Sequence, residues 1–464
     1  MARPKTLGEL RESGYCVLSV KEEMRRNLIG KIRSGEELFP GIVGYEQTVI
    51  PQLENAILSG QDVVLLGERG QAKTRIARSL VNLLDGEVPA LAGSEINDNP
   101  FEPVSQHGRQ LVETMGDDAE IVWVQRDYRY GEKLATPDIT IADLIGEVDP
   151  IKVAEGRYLS DELTIHYGLL PRTNRGVFCI NELPDLAERI QVGLLNIMEE
   201  RDVQIRGYKV RLPLDLFVVV SANPEDYTNR GRIITPLKDR FGAQIRTHYP
   251  RTLEHEIRIM EDERTHFEVD GVEAAVPDFM TEIVAEITHL ARRSPDISQR
   301  SGVSVRVSIT NYENVLSNAL KRAIRLGETK AVPRISDLGA VTASTGGKVE
   351  LESFGEARED RVLEKIVSGA VLAVWNRRFS AAELQPLAEA FDQGTRVEVS
   401  DQMPSDAYAG HVSELPALRQ AVERLGAQGS PATIASAVEF VLEGLHLNRK
   451  LNKDRVDGAL RYHG

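Results

Sequence analysis

The chain of 464 residues is short of several things at once. It has 2 cysteines, Cys16 and Cys179, so no disulfide framework can be drawn and a reducing setting is expected. Aromatic residues make up 5% of the total. No stretch approaches the roughly 18 consecutive apolar residues of a membrane helix. Nor does an apolar signal region follow Met1-Ala2-Arg3-Pro4-Lys5. A cytoplasmic protein with no membrane partner is the expectation. Positive charge is in deficit as well, with 56 Lys+Arg against 71 Asp+Glu and a net charge of −15. An acidic surface repels phosphate backbones, so nucleic acid is an improbable partner, although a basic loop inside a ring pore is compatible with that total. The 9 histidines form no His-Glu-x-x-His element and pair with no cysteine, which argues against zinc. Asp98, Glu102 and His107 share a polar stretch that reads as a surface loop rather than a metal site.

What is present is ordinary globular material, 41% hydrophobic and 27% charged, long enough for roughly three structural units. Residues 1–36 form a helical segment with apolar spacing at Met24, Leu28 and Ile32. Residues 37–250 alternate short apolar runs with helical patterns, the mark of an α/β layer fold. Strands are expected at Asp62–Leu66, Ile121–Gln125, Val177–Ile180 and Leu216–Ser221, all within one parallel sheet buried on both faces. Helices are expected at Gln47–Ser59, Lys73–Leu84 and Leu186–Glu200. Helical periodicity then dominates residues 251–379, a helical lid domain, in Met280–Ala291, Ile309–Arg325 and Asp360–Trp375. Residues 380–464 form a C-terminal helical region whose one basic patch, Leu445–Lys453, reads as a solvated helix end or partner contact. Trp123–Tyr130 mixes aromatics with arginines, as nucleic-acid loops can, but a strand running into a turn explains it equally well.

The chemistry concentrates in four places. Val63-Val64-Leu65-Leu66 runs into Gly67-Glu68-Arg69-Gly70-Gln71-Ala72-Lys73-Thr74, and a helical pattern opens at the lysine. Strand, loop and helix in that order make a phosphate cradle. Backbone N–H groups and the positive helix end face the anion, Lys73 reaches the β/γ-phosphates of ATP, and Thr74 offers a hydroxyl to Mg²⁺. Ala72 stands where the pattern has Gly, and its methyl is expected to fit only if the residue is near the right-handed α region. Further along, Gly176-Val177-Phe178-Cys179-Ile180 ends in Asn181-Glu182. A strand ending in two acids holds Mg²⁺ through the first and polarises the attacking water with the second. Asn181 carries no charge, so weakened Mg²⁺ affinity is expected, and a rise in turnover on Asn181→Asp would show an attenuated site, while Glu182 keeps the catalytic carboxylate.

A third strand, Val218-Val219-Val220-Ser221-Ala222, carries Asn223 at its tip, where it can position the lytic water. Arg240, in Pro236-Leu237-Lys238-Asp239-Arg240-Phe241-Gly242, is placed to serve a neighbouring subunit's γ-phosphate. Arg306 precedes a strong helical run and can touch the same phosphate from the lid.

This ordered set resembles the AAA+ ATPases of the magnesium-chelatase I-subunit and MoxR group. Phe39-Pro40-Gly41-Ile42-Val43-Gly44 looks like their adenine-side segment, which marks Val43 and Gly44 as nucleotide contacts. Asp143-Leu144-Ile145-Gly146-Glu147-Val148-Asp149, Tyr167-Gly168-Leu169-Leu170 and Asn174-Arg175-Gly176 resemble the stretch that leads into the acidic strand. Asn223-Pro224-Glu225 and Asp239-Arg240-Phe241-Gly242 resemble the sensor-1 and arginine-finger segments. The likeness is strong over residues 37–250 and weaker to about residue 345, and the last stretch carries no motif of the group. It implies a homo-oligomeric, hexameric-type ring with ATP and Mg²⁺ at subunit interfaces and a β-hairpin insertion, read at Val203–Leu212 with Gly207-Tyr208 at its turn. It also implies a partner with a von Willebrand factor A domain. Three functions stay open: a partner-remodelling ATPase, a slow or inactive nucleotide-dependent scaffold, and a true chelatase subunit or nucleic-acid motor.

Overall fold

The period-two pattern of the short apolar runs decides where each side chain goes. The computed structural model describes residues 3–149, 162–200, 202–205, 208–224, 232–266, 269–298, 302–350, 356–456 and 459–464. They form two compact units, Met1–His248 and Tyr249–Gly464.

In the first unit the strands are β1 (Val63–Leu66), β2 (Glu87–Leu91), β3 (Ile121–Gln125), β4 (Tyr130–Leu134), β5 (Gly146–Val148), β6 (Ile165–Tyr167), β7 (Gly176–Asn181), β8 (Asp202–Ile205), β9 (Tyr208–Arg211), β10 (Leu216–Ala222) and β11 (Ala243–Arg246). Five of them make the central sheet, in the order β11-β1-β10-β7-β4. All its pairings are parallel. Val63, Leu65, Val177, Cys179, Phe217, Val219 and Ile245 point to one face, where they pack with the helices Val20–Ser34 and Val49–Leu58 and with Ile76 and Ala77. Val64, Phe178, Ile180, Val218 and Val220 point to the other, against Leu183, Leu186, Ile190 and Leu194. Each large buried side chain contributes about 1.5–3 kcal/mol relative to exposure, and a one-residue slip would exchange the two sets, so the register is firmly specified.

The helix Val20–Ser34 explains the leading segment. Ser19 and Glu22 form a reciprocal capping box, and Gly35 closes the helix at φ 69°. Met24 and Leu28 are buried, whereas Ile32 is 48% exposed and lies off the packed stripe. The observed helices Val49–Leu58 and Glu188–Glu200 fall inside the expected spans. The expected helix Lys73–Leu84 stops at Ser79 and continues as a 3₁₀ turn, Leu80–Leu83.

One strand assignment is corrected. Ile121–Gln125 is extended but lies outside the parallel sheet, paired antiparallel with β2. Of its residues only Ile121 is buried, and Val122 is 43% exposed, so it lacks the two-faced burial of a central strand. The edge beside β7 is taken instead by β4, whose Tyr-Gly-Glu-Lys-Leu has no continuous apolar run to betray it. Gly131 in that strand sits where a Cβ would lie 2.1 Å from Thr173 Oγ1. Trp123–Tyr130 is a strand, a 3₁₀ turn (Arg126–Arg129) and the start of β4. β8 and β9 pair as the expected antiparallel hairpin. Gly207 of its turn, Glu225 and Ser301 lie outside the described residues.

The second unit is mainly helical, with Leu253–Glu263, Asp278–Arg293, Val305–Leu326, Glu356–Arg378 and Pro431–Leu447 as its longer helices. The three expected periodic runs lie within the second, third and fourth of these. One apolar cluster runs from Met260 to Tyr462, so residues on both sides of position 380 share a core. Short strands β12 (Glu273–Ala274) and β13 (Lys330–Ala331) pair in parallel. The segment after 380 adds a feature its helical periodicity does not show. There β14 (Val397–Val399), β15 (Asn452–Val456) and β16 (Ala459–His463) form an antiparallel sheet in the order β14-β16-β15. The basic patch at Leu445–Lys453 is a helix end running into β15, and Lys453 bonds the Glu443 carboxylate at 2.8 Å. Among the described residues no helix is long and apolar enough to cross a membrane.

Candidate nucleotide site

In a parallel sheet the C-terminal strand ends lie at one edge, and ligands bind in the crevice outside them. Here β1 ends at the phosphate loop, β7 at Asn181, β10 just before Asn223, and β11 just before Thr247.

Gly67 is required by contact: a Cβ there would fall 1.9 Å from Thr247 Oγ1 and 2.2 Å from Gln71 Oε1. Those two atoms brace the loop from inside. Gln71 Oε1 accepts from Thr247 Oγ1 at 2.7 Å and from the Glu68 amide at 3.1 Å. Gly70 has φ 75°, a left-handed position natural for glycine. Arg69 is exposed at the rim. Lys73 is buried, and its Nζ donates to the carbonyls of Gly67 and Glu68, the latter at 2.8 Å, and to Asn223 Oδ1 at 2.8 Å. The lysine and the β10 tip are thus brought together.

Ala72 does not take the right-handed conformation expected for its methyl. It has φ 55° and ψ 17°, left-handed, as the N-cap of Lys73–Ser79. Its carbonyl accepts from the Ile76 amide at 2.9 Å, so the loop geometry that suits glycine is kept with alanine in it. The methyl packs against the core, which offsets part of the strain. Glu182 is a second non-glycine residue in the left-handed region, at φ 57° and ψ 46°. Its amide donates to Ser221 Oγ at 3.1 Å, and the strand turns sharply there into Leu183–Asp185.

Asn181 links the strands beside the loop. Its Oδ1 accepts from Thr74 Oγ1 at 3.3 Å and from Ser221 Oγ at 3.2 Å, and its Nδ2 donates to Glu132 Oε1 at 2.8 Å. Glu132, on β4, also takes both forks of Arg78, at 2.7 and 2.9 Å. The Arg78 guanidinium holds the Glu132 carboxyl below the usual carboxylate range, with Tyr130 and Asn181 adding to the effect against burial. Thr74 and Asn181 present hard oxygen atoms side by side, a donor set that fits Mg²⁺, which usually keeps several of its own waters.

In the segment expected to face adenine, Val43 is buried and Gly44 has φ 84°. Tyr45 Oη donates to the carbonyls of Gln71 (3.0 Å) and His248 (2.7 Å), and burial pushes its pKa up to about 12. Arg240, at the end of Thr235–Arg240, is 43% exposed at its side chain and ion-paired with Glu199 of the same chain. Arg306 stands in the second unit, exposed in the first turn of Val305–Leu326, and its amide is capped by Ser304 Oγ at 3.2 Å. It is not among the residues gathered in the first unit. Asp98 bonds Ser94, Ser105 and nearby amides, and among the described residues no group of His, Cys, Asp and Glu is placed to hold a metal.

Sequence reasoning missed Glu132, Ser221 as a linker, and Thr247. No motif marks them, because each acts through strand adjacency.

A five-stranded parallel sheet, a phosphate loop on one strand, and polar tips on its neighbours define an AAA+-type P-loop nucleotide-binding core. No family model matches the chain. Among characterised proteins, the chloroplastic magnesium-chelatase subunit ChlI of Oryza sativa subsp. indica is 29% identical over 249 residues, 50% of this chain and 54% of that protein. The subunit ChlI of Nephroselmis olivacea is 25% identical over 329 residues, covering 65% and 85%. The chain therefore spans about half the length of the rice relative. A solved arrangement of the BchI and BchD subunits of magnesium chelatase overlaps at TM-score 0.37 and 20% identity, over 70% of this chain and 98% of that one. That overlap is too low to add to the argument from the strands. By these relatives the chain is similar to the magnesium-chelatase I subunit, on an AAA+-type core.

Proposed function

We propose that the protein binds ATP with Mg²⁺ between subunits of a homo-oligomeric, hexameric-type ring in the cytoplasm and uses hydrolysis to remodel a partner protein. The observation that carries this reading is the convergence of Lys73, Thr74, Asn181 and Asn223 at one edge of the sheet. The cradle keeps its shape from within, since Gly67 leaves the room that the Thr247 hydroxyl and the Gln71 amide fill.

In the proposed mechanism the loop amides and Lys73 bind the β- and γ-phosphates, and Thr74 and Asn181 hold the metal's oxygen shell. Bound Mg²⁺ supplies neutralisation of the charge that develops on the phosphates. Glu182 accepts the proton of the attacking water, and Asn223 orients that water. Arg240 of one subunit, exchanged from its Glu199 partner, reaches the neighbour's γ-phosphate, and Arg306 helps to stabilise the charge on the phosphate. An arginine in that role accounts for roughly 10³–10⁵ in rate. A partner with a von Willebrand factor A domain follows from the likeness to the magnesium-chelatase group.

A second reading, a slow nucleotide-dependent scaffold, is favoured by the neutral Asn181. One measurement separates the two. Protein with Mg²⁺ and ATP is expected to release phosphate, and Lys73→Ala to abolish the release. If both release equally little while ATP still binds the wild type, the scaffold reading stands and the enzyme reading fails. Native mass spectrometry with and without ATP tests the ring.

A further inference from the structure

The metal-facing side of this site contains a carboxylate that no motif assigns to it. Glu132 projects from β4, the strand next to β7, and its register partner is Cys179, two residues before Asn181. Its carboxylate can only accept hydrogen bonds. The Asn181 amide must therefore turn its NH₂ end toward Glu132, at 2.8 Å. That fixes the other end: Oδ1 faces Thr74 Oγ1 at 3.3 Å and Ser221 Oγ at 3.2 Å. An amide with two hydroxyl donors on one side and an obligate acceptor on the other has one satisfied orientation. An aspartate at 181 would satisfy only the first side and would set two carboxylates in contact on the second.

Resting on the nucleotide-site reading above, we infer that Glu132 is a positioning residue for the Mg²⁺ pole. The neutral Asn181 and the charged Glu132 work as one unit in which the carboxylate sits one strand away from its usual place. Arg78 holds Glu132 in a bidentate grip from the phosphate-loop helix, so the unit ties β4, β7 and that helix together. Asn181 is then a matched part of the site. Replacing it alone by aspartate breaks the unit rather than repairing the site, so it should bring no gain in turnover.

The test is a titration of a fluorescent ADP analogue in EDTA and at graded Mg²⁺, with the purified full chain. Glu132→Gln is expected to lower apparent Mg²⁺ affinity about 10-fold or more, the usual cost of losing an outer-shell partner, with affinity in EDTA unchanged. Asn181→Asp alone should give no gain in Mg²⁺ affinity. The double variant, Glu132→Gln with Asn181→Asp, should recover it, because a glutamine amide on β4 can accept from Arg78 while donating to the carboxylate introduced on β7. Unchanged Mg²⁺ dependence in Glu132→Gln, or a gain in Asn181→Asp alone, overturns the inference and leaves the nucleotide reading intact. Failure of the wild type to bind the analogue in either condition overturns both.

Discussion

Replacing Ala72 by glycine reverses the usual sign of that exchange. In a helix interior, Ala→Gly costs about 1 kcal/mol. At φ 55° the alanine instead carries the left-handed penalty, about 1–2 kcal/mol. Glycine removes that strain. Against it stand the larger freedom of glycine in the unfolded chain, about 0.4–1 kcal/mol, and the loss of a half-buried methyl, about 0.4 kcal/mol. The balance runs from about −0.4 to about 1.2 kcal/mol in favour of glycine. In a unit of this size 1 kcal/mol moves the melting temperature by about 2–4 °C. The expected result for Ala72→Gly is therefore an unchanged or slightly raised transition, read by calorimetry on the full chain in the transition that ADP shifts. A fall of more than about 2 °C is the size expected of a right-handed alanine, and it would refute the strained conformation.

Two further outcomes follow from buried groups. Glu256 is fully buried and accepts from Arg292 at 2.7 and 3.1 Å and from Ser308 Oγ at 2.5 Å. Glu256→Ala strands the guanidinium and should cost about 3–5 kcal/mol in urea unfolding of the second unit, and a loss under about 1 kcal/mol would show that Arg292 finds another partner. Of the two thiols, Cys16 is exposed, while burial pushes the Cys179 pKa up to about 12. A thiol reagent should therefore titrate one group per native chain at pH 8 and both in denaturant, and rapid reaction of both in the native state would contradict the packing of β7.

The parts of the site legible in the sequence are those that lie contiguously along the chain. Gly67 to Thr74 declares itself because loop and helix cap are adjacent residues, and Asn181 and Asn223 because each ends an apolar run. Glu132 and Thr247 are invisible for the opposite reason. β4 is an edge strand of mixed polarity, and Thr247 matters only because β11 lies beside β1. Two-faced burial misleads in the same way: Ile121–Gln125 has the composition of a core strand, yet only its first residue is buried. Backbone conformation is not written in residue type either, as the left-handed Ala72 and Glu182 show. In the second unit the sequence offers periodicity alone, which finds long amphipathic helices and overlooks three-residue strands such as β14.

The order of the central sheet also sets when the site can exist during synthesis. β11, the last of its strands to be made, pairs with β1, the first. The brace of the phosphate loop joins Gln71 to Thr247, 176 residues apart. At cellular rates of elongation those residues take on the order of 10–35 s to make, and until then the loop lacks the hydroxyl that fills the space beside Gly67. A nascent chain released before that point carries the whole phosphate-binding sequence and no finished cradle. Nucleotide retention on stalled ribosomes would thus register completion of the first unit.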